Sequence, residues 1–118
     1  MDRSHQKGRE GESVAAAVLE DAGMRIIARN VSSRVGEIDL IALDGETIVF
    51  VEVKAWSQVG IEELGYAITK KKQRRIIETA KYFLASHREY NGMAVRFDAV
   101  FVGPTAVTHL ASAFMERL

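Results

Sequence analysis

The chain has 118 residues, 47% of them apolar and 27% charged, with no cysteine and a formal net charge of zero. That length supports one globular domain, spanning residues 1–118, whose core needs no covalent staple. The missing cysteines exclude disulfides and thiolate metal sites. The N-terminal stretch MDRSHQKGREGE lacks the apolar segment of a secretion signal. No apolar run approaches the ~20 residues that cross a bilayer. A cytoplasmic protein without membrane contact is therefore expected. The charge is uneven: residues 1–59 hold seven Lys/Arg against ten Asp/Glu, and residues 60–118 hold nine against six. Overall neutrality thus leaves room for an anionic partner at a local basic patch.

From about Arg9 to Ala22 the sequence is alanine-rich, with Val14, Ala15, Val18, Leu19 and Ala22 at helical spacing and Gly23 as a stop. Met24 to Ala28 reads as a strand, followed by a polar loop through Asn30, Ser32, Ser33 and Gly36. Glu37 to Leu43 and Thr47 to Lys54 read as strands joined at Asp44-Gly45, a hairpin signal. After a loop with Gly60 and Gly65, a helix is expected from Thr69 to Ser86, with Ile76, Ile77, Ala80, Phe83 and Leu84 as its apolar stripe. Met93 to Val102 and Ala106 to Leu110 complete the chain as strands. The order α-β-β-β-α-β-β predicts an α/β fold, a central mixed sheet with helices packed against it.

The hairpin concentrates chemistry. With Asp44-Gly45 as the two-residue turn, Asp39 faces Phe50 and Glu37 faces Glu52. Alternation then puts Glu37, Asp39, Ile41, Leu43, Glu46, Ile48, Phe50, Glu52 and Lys54 on one face, and Ile38, Leu40, Ala42, Val49, Val51 and Val53 on the other. Both faces are apolar at mid-hairpin, so both should be covered. Asp39 and Glu52 are diagonal neighbours in this register, their Cα atoms on the order of 7–8 Å apart. Such a pair can share a divalent cation, and oxygen ligands suit Mg²⁺ or Mn²⁺ better than zinc. Lys54, on the same face, would hold a water or steady a phosphate, a set suited to phosphodiester hydrolysis. The plainer reading is a surface ion pair between Glu52 and Lys54. It must also explain why Glu37 and Asp39 share the corner, since carboxylates gathered around one lysine repel unless a cation joins them.

Thr69 to Arg75 reads T-K-K-K-Q-R-R, five positive charges within six residues at a helix start, where the helix dipole disfavours cations. Either this is a solvated face that tolerates the cost, or Lys70, Lys71, Lys72, Arg74 and Arg75 meet phosphates.

Several motifs occur together. Asp39 with Glu52-Val53-Lys54 resembles the D…E-x-K signature of the PD-(D/E)xK, restriction-endonuclease-like nuclease superfamily. Lys7-Gly8, Gly11-Glu12, Arg29-Asn30, Gly36 to Ala42, Val49 to Lys54, Lys72-Gln73 and Arg96-Phe97-Asp98 resemble, in order, the YraN family of that superfamily. The resemblance implies an αβββαβ nuclease core, close to that of archaeal Holliday-junction resolvases. It implies Glu12, Asp39 and Glu52 as metal ligands, Lys54 as the catalytic lysine, and Lys72 and Gln73 as positions reaching the active site. Periodicity alone does not separate Glu12 from Glu10, and a solvated first-turn acid is the plain alternative. Two positions depart from the family pattern. Ile38 replaces the proline before the first aspartate, and Trp56 stands where relatives carry Arg or Lys. Trp56 either packs against the loop of Val59 and Ile61 or stacks on a base.

Arg96 and Asp98 share a strand face and read as a structural ion pair rather than catalysts. His5, His87 and His109 show no ligand spacing and receive no role. The expected function is therefore a Mg²⁺- or Mn²⁺-dependent nuclease, with Glu37 and Trp56 as auxiliary residues. No base-reading motif is present, so its partner is nucleic acid, DNA before RNA, selected by structure, and a homodimer would let it address two strands. The alternatives are a non-catalytic nucleic-acid-binding module on a nuclease fold, or an interaction domain whose charges are only surface.

Overall fold

The computed structural model describes residues 3–55 and 68–114. Its elements run α1 (Arg3–Asp21), β1 (Arg25–Ser32), β2 (Glu37–Asp44), β3 (Thr47–Ala55), α2 (Lys70–Ser86), a 3-10 turn (Arg88–Tyr90), β4 (Ala94–Val102) and β5 (Val107–Phe114). The strands form one mixed sheet in the order β1-β2-β3-β4-β5. Only β3 and β4 pair in parallel, and α2 lies in the connection between them. The expected element order is the observed one.

Both sheet faces are covered, as the doubly apolar hairpin required. On one face Ile41, Ile48, Phe50, Phe97 and Phe101 pack with Ile76, Ile77, Ala80 and Phe83 of α2. Phe50 anchors this layer, stacked on Phe97 at 5.6 Å between ring centroids and edge-on to Phe83 at 6.2 Å. On the other face Leu40, Ala42, Val49, Val51 and Val100 meet Ala15, Ala16 and Leu19 of α1. The buried stripe of α1 differs from the one expected, since Val14 and Ala22 are exposed and Ala16 is buried. Small residues govern this contact: a Cβ on Gly11 would stand 3.9 Å from Val53 Cγ1, so the helix lies close on β3. Gly23, at φ +94, ends the helix in the left-handed conformation while Met24 N–H reaches back to the Leu19 carbonyl.

The hairpin turn is Gly45-Glu46, not Asp44-Gly45. Asp44 pairs with Thr47 and Ile41 with Phe50. Gly45 has φ +59 and Glu46 lies outside the left-handed region, as a II′ turn with glycine first requires. Each β2 residue therefore meets a partner two positions further along β3 than expected. A two-residue shift preserves side-chain parity, so the faces survive while the pairs change. Carried one step beyond Leu40–Val51, this register sets Asp39 directly across from Glu52 rather than diagonal to it.

Strand β1 is longer than expected, running to Ser32 through Asn30 at φ +52. The pairs Arg29–Leu40 and Val31–Ile38 place Asn30 opposite Asp39. Alternation breaks at this kink, and Ile38 packs in the α2-side cluster, not with Leu40 and Ala42 as expected. The loop is thereby reduced to residues 33–36, and it is clamped on α2. Ser33 Oγ lies 2.8 Å from Thr79 Oγ1, which in turn donates to the Arg75 carbonyl at 2.8 Å. A Cβ on Gly36 would stand 3.0 Å from Arg75 Cβ, so only glycine lets the turn come this near.

Candidate functional site

The site forms where β2 and β3 part. Their ladder ends at Leu40–Val51, and the next N–H on that side, of Val53, donates to Asp39 Oδ2 at 2.7 Å. This bond aims the Asp39 carboxylate at the carboxyl end of β3, beside Glu52. Thr69 caps α2, accepting the Lys72 N–H at 3.1 Å, and so sets the first helical turn over the same corner. Lys72 Nζ reaches Glu52 Oε1 at 2.6 Å, with the Glu52 side chain only 6% exposed and Lys72 44% exposed. A cleft of about 490 Å³ opens here, with Glu37, Asp39 and Glu52 on one wall and Lys71, Lys72 and Arg75 on the other.

The electrostatics are unbalanced. Asp39 is pushed up to about 7, first by burial and then by the Glu52 charge, while the Val53 N–H and the Lys72 ammonium pull it down. Glu12 approaches the same corner from α1. Its carboxyl is raised, by burial first, with Asp39 and Glu37 adding to the effect and Asn30 and Arg29 opposing it. Asn30 thus sits between the two acids, a position that its place opposite Asp39 explains. Of the cations on the facing wall only Lys72 is in contact with these carboxylates, and the hard oxygen donors gathered beside Asp39 suit a divalent cation. As the side chains stand, no three His, Cys, Asp or Glu among the described residues are grouped closely enough to hold one.

The expected site residues divide accordingly. Asp39, Glu52 and Glu37 share the cleft, and Glu12 acts on Asp39 from its margin. Lys54 is half-buried further along β3 and does not line the cleft. Of the basic run, Lys71, Lys72 and Arg75 line it, whereas Lys70 and Arg74 are exposed outside it. Gln73 turns away, donating to the Ile68 carbonyl at 3.0 Å. Trp56, with Val59 and Ile61, lies outside the described residues.

A second buried carboxylate occupies the other half of the sheet. Asp98, fully buried, accepts from Arg96 Nε at 2.8 Å and Nη2 at 3.0 Å, and from the Ser112 N–H at 3.0 Å. His109 Nε2 lies 2.7 Å from its Oδ2, and Arg96 Nη1 extends the network to Asp44 at 2.9 Å. Arg96 and Asp98 are thus the structural pair expected. His109 belongs to the pair as well, although it had been given no role. His109 pairs with Val100 in the regular β4–β5 register and so shares the face of Asp98, while the irregularity beyond Leu110, with Ser112 at φ +54, turns the Ser112 N–H to the same carboxylate.

The five-stranded mixed sheet with a helix on each face defines an α/β fold of the nuclease-like type. The structure is similar to that of Hjc, a Holliday junction resolvase from Archaeoglobus fulgidus, with a TM-score of 0.53 and 19% identity over 95% of this chain and 78% of that one. The chain belongs to the uncharacterised protein family UPF0102, the YraN family, which matches residues 11–102. It is 50% identical to a UPF0102 protein of Treponema pallidum, with 92% of each chain covered. It is 42% identical to one of Treponema denticola, with 91% of this chain and 93% of the relative covered. A third relative, from Rhodopseudomonas palustris, is 43% identical over 91% of this chain and 82% of its own length.

Proposed function

We propose that this protein is a metal-dependent nuclease that hydrolyses phosphodiester bonds and selects its nucleic acid, DNA rather than RNA, by shape. The observation that carries this reading is half-buried Asp39 beside buried Glu52 in a cleft walled by the basic end of α2. Glu12, Asp39 and Glu52 would hold Mg²⁺ or Mn²⁺, which when bound supplies an acidified water and offsets charge developing on the phosphate. The remaining work falls to the chain itself. The Val53 N–H holds Asp39 in place. Lys72, tied to Glu52 and still partly exposed, can turn its ammonium to a substrate phosphate. Lys54, two residues beyond Glu52 on β3, would orient the attacking water, and Glu37 lines the rim.

Lys71 and Arg75 on the wall, with Lys70 and Arg74 outside it, would fix backbone phosphates without reading sequence. The fold shared with a Holliday junction resolvase supports branched DNA as the substrate. A cytoplasmic single-domain protein working as a homodimer would address two strands of such a junction.

A second reading, a binding module that does not cut, is favoured by one observation. Glu52 is already paired with Lys72 at 2.6 Å, and no metal-holding trio stands assembled among the described residues. Incubation with branched, single-stranded and duplex DNA and RNA, in Mg²⁺, Mn²⁺ or EDTA, separates the two. The nuclease reading expects metal-dependent cutting that Glu52→Gln abolishes. Binding without cutting in either metal supports the module, and absence of binding at low salt contradicts both.

A further inference from the structure

The candidate cleft does not end at Arg75. A second cleft, of about 570 Å³, continues along α2 between the β1–β2 turn and the outer helix face, with Arg34, Val35, Glu78, Lys81 and Tyr82 in its walls. Val35 lines both clefts, so the two adjoin at this residue. Only three large apolar side chains are exposed among the described residues, and two of them, Tyr82 at 62% and Val35 at 51%, lie here. Tyrosine on the open face of a helix gains nothing from the core, and Phe83 beside it already supplies the buried aromatic of that turn.

The spacing links this cleft to the first. Lys71, Arg75, Glu78 and Tyr82 recur at i, i+4, i+7 and i+11 and form one stripe, ~16 Å long at the helical rise per residue. Its first two members wall the carboxylate cleft and its last two wall the second one. The acid in the stripe is partly offset, since Lys81 Nζ lies 3.5 Å from Glu78 Oε1. Arg34 is exposed and forms no ion pair with any described residue. The opposite wall is rigid, because the Ser33–Thr79 hydrogen bond and the Gly36–Arg75 contact pin the turn to the helix.

An exposed aromatic flanked by cations, at the end of a basic track, has the chemistry of a stacking platform for unpaired bases. In a duplex the base faces are covered by their neighbours, so the occupant that fits is a single strand. We propose that this second cleft holds the unpaired strand leaving the carboxylate cleft, with Tyr82 stacking on a base and Arg34 and Lys81 on the flanking phosphates. The proposal rests on the reading of the first cleft as a nucleic-acid site and adds to it a preference for substrates with a single-stranded arm.

Fluorescence anisotropy in EDTA, with a blunt duplex and the same duplex carrying a single-stranded tail, tests it on the full chain. Wild type is expected to bind the tailed substrate about tenfold more tightly, within the range of one base stacked on an aromatic ring. Tyr82→Ala should abolish that preference and leave blunt-duplex affinity unchanged, whereas Tyr82→Trp should keep it. Arg34→Ala should weaken tailed binding and lower its salt dependence by about one counterion. Equal affinity for blunt and tailed duplex, or a tail preference that persists in Tyr82→Ala, overturns this proposal and leaves the first cleft's reading intact. Absence of binding to either duplex overturns both. Tyr82 is exposed, so its variants should fold as wild type does, and matched thermal melts check this.

Discussion

Two aspartates, Asp98 buried and Asp39 half-buried, stand on one sheet and live in opposite environments. Asp98 has a bidentate arginine, a histidine and a backbone N–H. Burial alone would raise its carboxyl, yet the hydrogen bonds of Arg96, Ser112 and His109 override this and hold it below the ordinary range. Asp39 has one backbone N–H and a distant share of Lys72, against burial and the Glu52 charge, and is pushed up to about 7. The first cluster is complete within the protein. The second crowds Asp39 against Glu52 with Lys72 paired to Glu52, and acids perturbed in this way concentrate at sites that bind or react.

The contrast can be broken most forcefully at Asp98. Arg96→Met would leave a buried charge without its main partner, at a cost of about 3–5 kcal/mol. In a chain of this size that is a fall of more than about 10 °C in melting temperature, measured by circular dichroism. The corresponding loss at the other cluster should be absent, because its acids already repel. Divalent cation should instead stabilise that cluster: Mn²⁺ at a hundred times its dissociation constant would add about 2.7 kcal/mol in wild type. Neither Asp39→Asn nor Glu52→Gln should show the gain in calorimetric melts, whereas Arg96→Met should retain it.

The pH dependences have opposite signs. Asp39, raised to about 7, contributes stability that is present below its unfolded value of 3.8 and is lost as pH rises toward and through 7. Asp39→Asn, which keeps an oxygen for the Val53 N–H, should therefore exceed wild type at pH 8, by on the order of 1 kcal/mol, and lose this advantage near pH 4. Asp98, lowered from 3.8, contributes stability that is present above that value and is lost as pH falls below it. Denaturant titrations at pH 8 and pH 4 check the first sign, and a further series carried below pH 3.8 checks the second. The smallest effect is expected at Lys72. Lys72→Met frees Glu52 from its ion pair and should tighten Mn²⁺ binding several-fold, on the order of 1 kcal/mol or less, read by isothermal titration.

Much of this was legible in the sequence because it depends on periodicity. Alternation along β2 and β3 gave the two covered faces, and the stripe of α2 gave its buried side, since burial of one face leaves no freedom in parity. The pairing was less legible, because Asp44-Gly45 and Gly45-Glu46 are both acceptable two-residue turns and only the folded backbone chooses between them. That choice brings Asp39 across from Glu52. The role of Lys72 beside Glu52 was visible only through family resemblance, as the two residues are joined by a fold contact of long sequence separation. His109 was not visible, since its contact with Asp98 depends on the β4–β5 register, which pairs it with Val100. Asn30 was visible only within the Arg29-Asn30 family motif, not as the left-handed kink opposite Asp39 that ends the regular alternation.

The claim that unites these results is that Asp39 is an uncompensated acid awaiting a cation. Carbon-detected NMR of its carboxyl, titrated with and without Mg²⁺, tests it directly. The account predicts a midpoint near 7 without the cation, moving well below the ordinary carboxylate range with it. A midpoint near 3.8 in both conditions would contradict it.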